Sequence, residues 1–182
     1  MASSRLLRVP YSVFAHAYDI YVSPVMLAEK MDGAKFVATC TGYNLAHLER
    51  LDGGRFKGKV HLVYHGLDLH KFRPVRHRDD GQPPFLLSVG QLREKKGFSC
   101  LIRACRLLAD RGYDFRCEII GEGPERPRLE TLIADLDLER TVMLRGALPH
   151  SKVIDSYAQA TVFVLACTLA QDGDRDGIPN VL

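Results

Sequence analysis

The sequence predicts an α/β fold built on parallel sheets. Three observations lead there. Short apolar, strand-like runs alternate with segments whose apolar residues recur at helical spacing. The alternation is cleanest after residue 84. Glycine or histidine stands where several strand-like runs end. Strands joined through helices make right-handed crossovers and therefore parallel sheets.

In chain order, Tyr11 to Ala15 is a short apolar run ending in His16. Ser23-Pro24 predicts a helix start, since Ser caps orphan N–H groups and Pro is tolerated at the first helical position. That helix is expected to reach Met31 and to end at Asp32-Gly33. Ala34 to Cys40 is strand-like, Asn44 to Leu51 a short helix closed by Asp52-Gly53-Gly54, and Lys59 to Tyr64 a further strand. Residues 73–84 are polar and rich in Pro and Gly, which marks a linker. Beyond it, Phe85 to Val89 reads as a buried strand. Phe98, Leu101, Ile102, Cys105, Leu108 and Ala109 form one apolar helical face. Phe115 to Ile120 is the next strand, Leu129 to Leu136 a second amphipathic helix and Thr141 to Leu144 a strand. Ser151 is expected to cap a helix to about Ala158, and Thr161 to Ala166 closes the pattern as a strand. The implied organisation is a first lobe over 1–72, a linker over 73–84 and a second lobe over 85–182.

The bulk composition excludes several classes. With 46% hydrophobic and 26% charged residues among 182, the chain is neither disordered nor fibrous. A net charge of +3 is too small to argue for nucleic acid. The charge is uneven: +4 over residues 1–84 and −1 over 85–182. A mildly basic first half suits an anionic surface or substrate. Cys40, Cys100, Cys105, Cys117 and Cys167 show no CxxC spacing, which reads as reduced cytosolic thiols; Cys40 and Cys117 fall in apolar runs as small core residues. No stretch approaches the ~20 apolar residues of a membrane span. The expected location is the cytoplasm, with peripheral contact at the membrane surface compatible with the basic half.

In doubly wound sheets, ligands bind outside the carboxyl ends of the strands. That rule singles out His16, His65-Gly66, Gly90 to Gly97, Gly121 to Glu125, Gly146 to His150 and Cys167 to Asn180. The loop Gly90-Gln91-Leu92-Arg93-Glu94-Lys95-Lys96-Gly97 joins a buried strand to a helix N-terminus. Glycines at its ends allow close backbone approach, the helix end favours anions, and Arg93 and Lys96 add cations suited to phosphate. It lacks the P-loop and GxGxxG patterns. A solvated charged turn is the plain alternative. Asp172, Asp174 and Asp176 alternate like a calcium loop. The closing Glu and flanking helices of an EF-hand are missing, so calcium is not expected.

Five stretches, in this order and spacing, resemble the family 4 glycosyltransferases: Phe-Ala-His-Ala-Tyr-Asp-Ile-Tyr (14–21), Val-Tyr-His-Gly-Leu-Asp-Leu-His-Lys-Phe-Arg-Pro (63–74), Ser-Val-Gly-Gln-Leu-Arg-Glu-Lys-Lys-Gly-Phe (88–98), Ile-Ile-Gly-Glu-Gly-Pro-Glu (119–125) and Asp-Arg-Asp-Gly-Ile-Pro-Asn-Val-Leu (174–182). The resemblance implies a GT-B fold, here part of the first Rossmann-like lobe and an incomplete second, donor-binding lobe. It implies transfer of a sugar, with retention, from a UDP- or GDP-linked donor to a glycan or lipid-linked acceptor. Neither cofactor nor metal is implied.

Residue by residue, Gly90, Arg93 and Lys96 match the donor-diphosphate positions. His16 matches a histidine facing the donor sugar, and Asp176 the first acidic position of the closing signature, where Glu is commoner. Gly121, Leu148, Gly177, Asn180 and Val181 match nucleobase and donor contacts. His65-Gly66 falls where the chain passes between lobes. The signature's second carboxylate would lie two residues past Leu182, so the chain is expected to be a fragment. A non-catalytic nucleotide-binding remnant and a sugar-nucleotide epimerase of the same architecture are the rival readings, because fold alone does not fix function.

Overall fold

The computed structural model describes residues 9–66, 68, 70–71, 81–174 and 176. The chain divides into two compact units, with the boundary after Gly66. Described residues from Leu169 onward group with the first unit, whereas the sequence reading ran the second lobe on to residue 182.

The first unit holds three parallel strands in the order β1 (Val13–Ala15), β2 (Val37–Thr39) and β3 (Val60–Leu62). Their register pairs Ala15 with Thr39 and Thr39 with Leu62. Helices α1 (Leu27–Gly33) and α2 (Gly42–Arg50) form the crossovers. Thr41 caps α2, its Oγ1 accepting from the Asn44 N–H at 3.0 Å. Ala15, Ile20, Leu27, Met31, Val37, Leu48, Phe56 and Val60 are buried together as the core. Each such large side chain contributes roughly 1.5–3 kcal/mol on leaving water.

The helix start expected at Ser23-Pro24 is not there. The Ser23 N–H donates to the Tyr18 carbonyl at 2.9 Å, closing a wide turn over Tyr18–Val22. The helix begins only after Met26, which has a positive φ of 53°. Ser23 thus ends one local structure, and Met26 takes the position before the next.

The second unit carries β4 (Phe85–Val89), β5 (Arg116–Ile120), β6 (Val142–Gly146) and β7 (Val162–Phe163), all parallel, in the order β6-β5-β4-β7. The linking helices are α3 (Phe98–Asp110), α4 (Arg126–Asp135) and α5 (His150–Gln159). Period-two alternation sorts the side chains to two faces. Cys117 and Ile119 of β5 pack with Leu101, Ile102 and Cys105 of α3 and with Leu129 and Ile133 of α4. Phe85, Leu87 and Val89 of β4 point to the other face, against Val153 and Tyr157 of α5. The unit is therefore a sheet between helical layers. Helix α5 starts one residue before Ser151, because the Pro149 carbonyl already accepts from Lys152 and Val153; its N-cap makes no side-chain bond. Among the described residues no helix is long and apolar enough to cross a membrane.

The thiols follow this packing. Cys40, Cys105 and Cys117 are buried, while Cys100 and Cys167 are exposed. A hydrogen bond with Cys105, together with burial, raises the Cys117 thiol far above its ordinary range and keeps it protonated. Under native conditions iodoacetamide should modify Cys100 and Cys167 within the first minutes and spare Cys105 and Cys117 until denaturant is added. Mass mapping of the alkylated peptides checks this. Early labelling of Cys117 would contradict the packing.

Candidate functional site

The order β6-β5-β4-β7 sends the chain to one side of β4 through β5 and β6 and then back to the other side with β7. The carboxyl ends of β4 and β7 thus flank the topological switch point, where such sheets open a crevice for ligands. The loop Gly90–Gly97 leaves β4 at that point, and several hydrogen bonds fix it there. Ser88 Oγ donates to the Val164 carbonyl at 2.5 Å. The Thr168 N–H donates to the Lys95 carbonyl at 2.9 Å. The Leu92 N–H donates to the Glu122 carbonyl and the Glu125 N–H to the Leu92 carbonyl, at 2.9 and 3.1 Å.

Glycine is required at the tightest crossings. A Cβ on Gly97, whose φ is +65°, would lie 1.8 Å from the Ala166 carbonyl oxygen. A Cβ on Gly121 would lie 1.9 Å from the Gly90 carbonyl oxygen. These approaches bring the ends of β4, β5 and β7 together. The Gly121 N–H donates to the Gly146 carbonyl at 2.9 Å, which adds the end of β6.

On this frame Lys95 and Lys96 fall in a single 3-10 turn, Glu94–Lys96, ahead of the N-terminus of the 13-residue α3. The Lys96 stem lies over Gly90, its Cδ and Cε 3.6 Å from where a Cβ would stand. Arg93 is exposed, and its Nε donates to Gln91 Oε1 at 3.0 Å, which steadies the guanidinium. Two cations, a helix N-terminus and a close-packed glycine loop therefore meet at one strand end, an arrangement suited to a diphosphate.

The other expected residues divide. Gly121 joins this cluster through its backbone. Leu148, on the loop after β6, is half-buried against the apolar group of Phe85, Leu87, Val89 and Ile120. His16 follows β1 in the first unit and is exposed. Asp19 serves the turn there, its carboxylate accepting from the His16 N–H at 3.0 Å. Asp176 is half-buried and groups with the first unit. Gly177, Asn180 and Val181 lie outside the described residues. Of the alternating aspartates, Asp172 accepts from the Asp174 N–H at 2.9 Å, a local turn. Cys40 is buried, as the sequence reading had it, and also lies at the carboxyl end of β2 with its thiol within 4.8 Å of a ring nitrogen of each of His16 and His65, a grouping that reading did not make.

Known proteins resemble this chain in both sequence and fold. The amylovoran biosynthesis glycosyltransferase AmsK of Erwinia amylovora is 40% identical over 125 residues, which cover 68% of this chain and 30% of AmsK. The chain thus spans about 30% of the length of that relative. Two solved structures share the fold. The sucrose-phosphate synthase of Thermosynechococcus elongatus superposes with a TM-score of 0.72 at 19% identity, covering 91% of this chain and 47% of the synthase. The pneumococcal O-GlcNAc transferase GtfA, solved with UDP and GlcNAc, gives 0.67 at 18%, covering 87% of this chain and 33% of GtfA. The fold is α/β of the GT-B type. Residues 71–181 match the family described as glycosyl transferases group 1, more than half of the chain, and the protein belongs to that family.

Proposed function

We propose that the chain carries the donor-diphosphate site of a retaining glycosyltransferase of polysaccharide assembly, using a UDP- or GDP-sugar and a glycan or lipid-linked acceptor. The observation that carries the reading is the Gly90–Gly97 loop. It places Arg93 and Lys96 beside a helix N-terminus at the switch point of a family member's sheet. Breaking an anomeric C–O bond to phosphate develops oxocarbenium character on the sugar and negative charge on the leaving diphosphate. Donors already aimed at that charge lower the barrier without reorganising. Arg93 and Lys96 supply them, and no metal is required for the step. His16 and Asp176 keep the sugar-directed roles that the family resemblance gives them, and Leu148 an apolar contact to the base. The name of the amylovoran relative supports a polysaccharide product. The basic first half supports work at an anionic membrane face.

Calorimetric titration with UDP, GDP and the matching monophosphates tests the site without turnover. One diphosphate should bind per chain, more tightly than its monophosphate. Lys96→Met should weaken it by about 1.5–3 kcal/mol, the range for a hydrogen bond to a charged group. Equal affinity in the wild type and the variant would sink the assignment.

A further inference from the structure

His16, Cys40 and His65 follow the three adjacent strands of the first unit, β1, β2 and β3. They are the one group of three potential metal-ligating side chains that comes together among the described residues. One ligand atom from each lies within 4.8 Å of the other two. The strands explain the proximity. Ala15 pairs with Thr39, so the next residues, His16 and Cys40, leave neighbouring strands side by side. The frame behind them is held at the same level. Thr39 Oγ1 donates to the Ala15 carbonyl at 2.8 Å, and the Val63 N–H to the Thr39 carbonyl at 2.8 Å. The two imidazoles are nearly parallel, 5° apart with centroids 5.5 Å apart, and Phe14 stacks on His16 at 4.8 Å.

We infer that these three side chains form a binding site for a borderline-soft divalent metal ion, of which zinc is the type. Two neutral imidazole nitrogens and a thiolate are a donor set that zinc takes, with Zn–N near 2.0–2.1 Å and Zn–S near 2.3 Å. Tetrahedral placement at those lengths puts ligand atoms about 3.3–3.6 Å apart. The three ligand atoms lie within 4.8 Å of one another, so ligation requires the rings to turn about Cβ–Cγ and draw the atoms together by up to about an ångström. Both histidines are exposed while Cys40 is buried, so the thiolate forms the floor and the imidazoles the rim. Three protein ligands leave the fourth position to water, the pattern of open zinc sites. Binding displaces the Cys40 thiol proton, since only the thiolate ligates. The cluster shares His16 with the sugar-directed role proposed above, but its readouts, metal binding and proton release, do not depend on the transferase reading.

Cobalt, which absorbs in the visible when tetrahedral and near the ultraviolet when thiolate-bound, is the probe. The chain is first freed of any histidine tag and carries Cys100→Ser and Cys167→Ser to remove the exposed thiols. One Co²⁺ per chain should bind with a thiolate charge-transfer band and be displaced by Zn²⁺. Calorimetry in two buffers of different ionisation enthalpy should report proton release on Zn²⁺ binding. His65→Ala, at an exposed position that leaves the core untouched, should weaken Zn²⁺ by more than the ~10–100-fold that loss of an outer-shell partner alone costs. Cys40→Ser should abolish the charge-transfer band while far-ultraviolet circular dichroism stays unchanged. Absence of the band, or a band and affinity indifferent to both substitutions, overturns the proposal.

Discussion

Removing the charge at Arg93 or Lys96 is expected to lower sugar transfer by about 10²–10³-fold, equivalent to ~3–4 kcal/mol, as loss of one preorganised oxyanion donor does. Arg93→Ala is a clean test of this, because the side chain is exposed and its Nε donates to the neighbouring Gln91. Lys96 calls for methionine in place of alanine. Its stem packs over Gly90, so Lys96→Met keeps the apolar length and removes only the ammonium. Arg93→Lys should recover part of the loss: the charge returns but the planar fork does not. The loss should fall on kcat more than on KM, since charge grows on the diphosphate chiefly in the transition state. Initial rates of UDP or GDP release by the protein measure it. Unchanged turnover in both variants would end the role given to this loop.

The second large effect is on stability. Gly97→Ala should destabilise the protein by roughly 2–5 kcal/mol. About 1–2 of that is the left-handed conformation of a residue with a side chain, and about 1–3 is forced displacement of packed backbone. The displaced group is the Ala166 carbonyl, whose oxygen stands 1.8 Å from the new Cβ. Gly112→Ala is the matched control. Its φ is +77°, but nothing lies within 4 Å of the added carbon, so only the first contribution remains. Urea unfolding of the two variants separates them. Equal losses would mean that the Gly97 loop and the segment after β7 part without cost.

Much of this was legible in the sequence, for identifiable reasons. Strand β4 matched to the residue and α3 to within one, because a buried apolar run and a one-sided helical face are set by burial, the strongest local signal. The turn from Gly90 to Gly97 was legible as well, since glycine at both ends of a strand-to-helix loop marks tight backbone crossings, and Gly97 proves to sit against the Ala166 carbonyl. Two helix starts were not. Ser23 and Ser151 look like caps, yet the helices start at neighbours: after Met26 in one case, and in the other after Pro149, whose carbonyl takes the first helical bonds. Strand β7 is shorter than its apolar run: only Val162–Phe163 pair in register with Leu86–Leu87 of β4. The grouping of His16, Cys40 and His65 required knowing that β1, β2 and β3 are neighbours in register. No spacing along the chain encodes that.

The order of the second sheet also bears on how the protein is made. Strand β4 is central in the finished unit, yet its bonds on one side join Phe85 to Thr161 and Ser88 to Val164, 76 residues apart in each case. Until the ribosome has delivered β7, β4 is an edge strand whose Phe85, Leu87 and Val89 still lack Phe163 and α5. Closing so long a separation is slow compared with forming α3 against β4 and β5. An exposed apolar edge held for that time invites pairing with other nascent chains. The strand that completes the ligand crevice is thus also the one whose late arrival ends the interval of greatest risk.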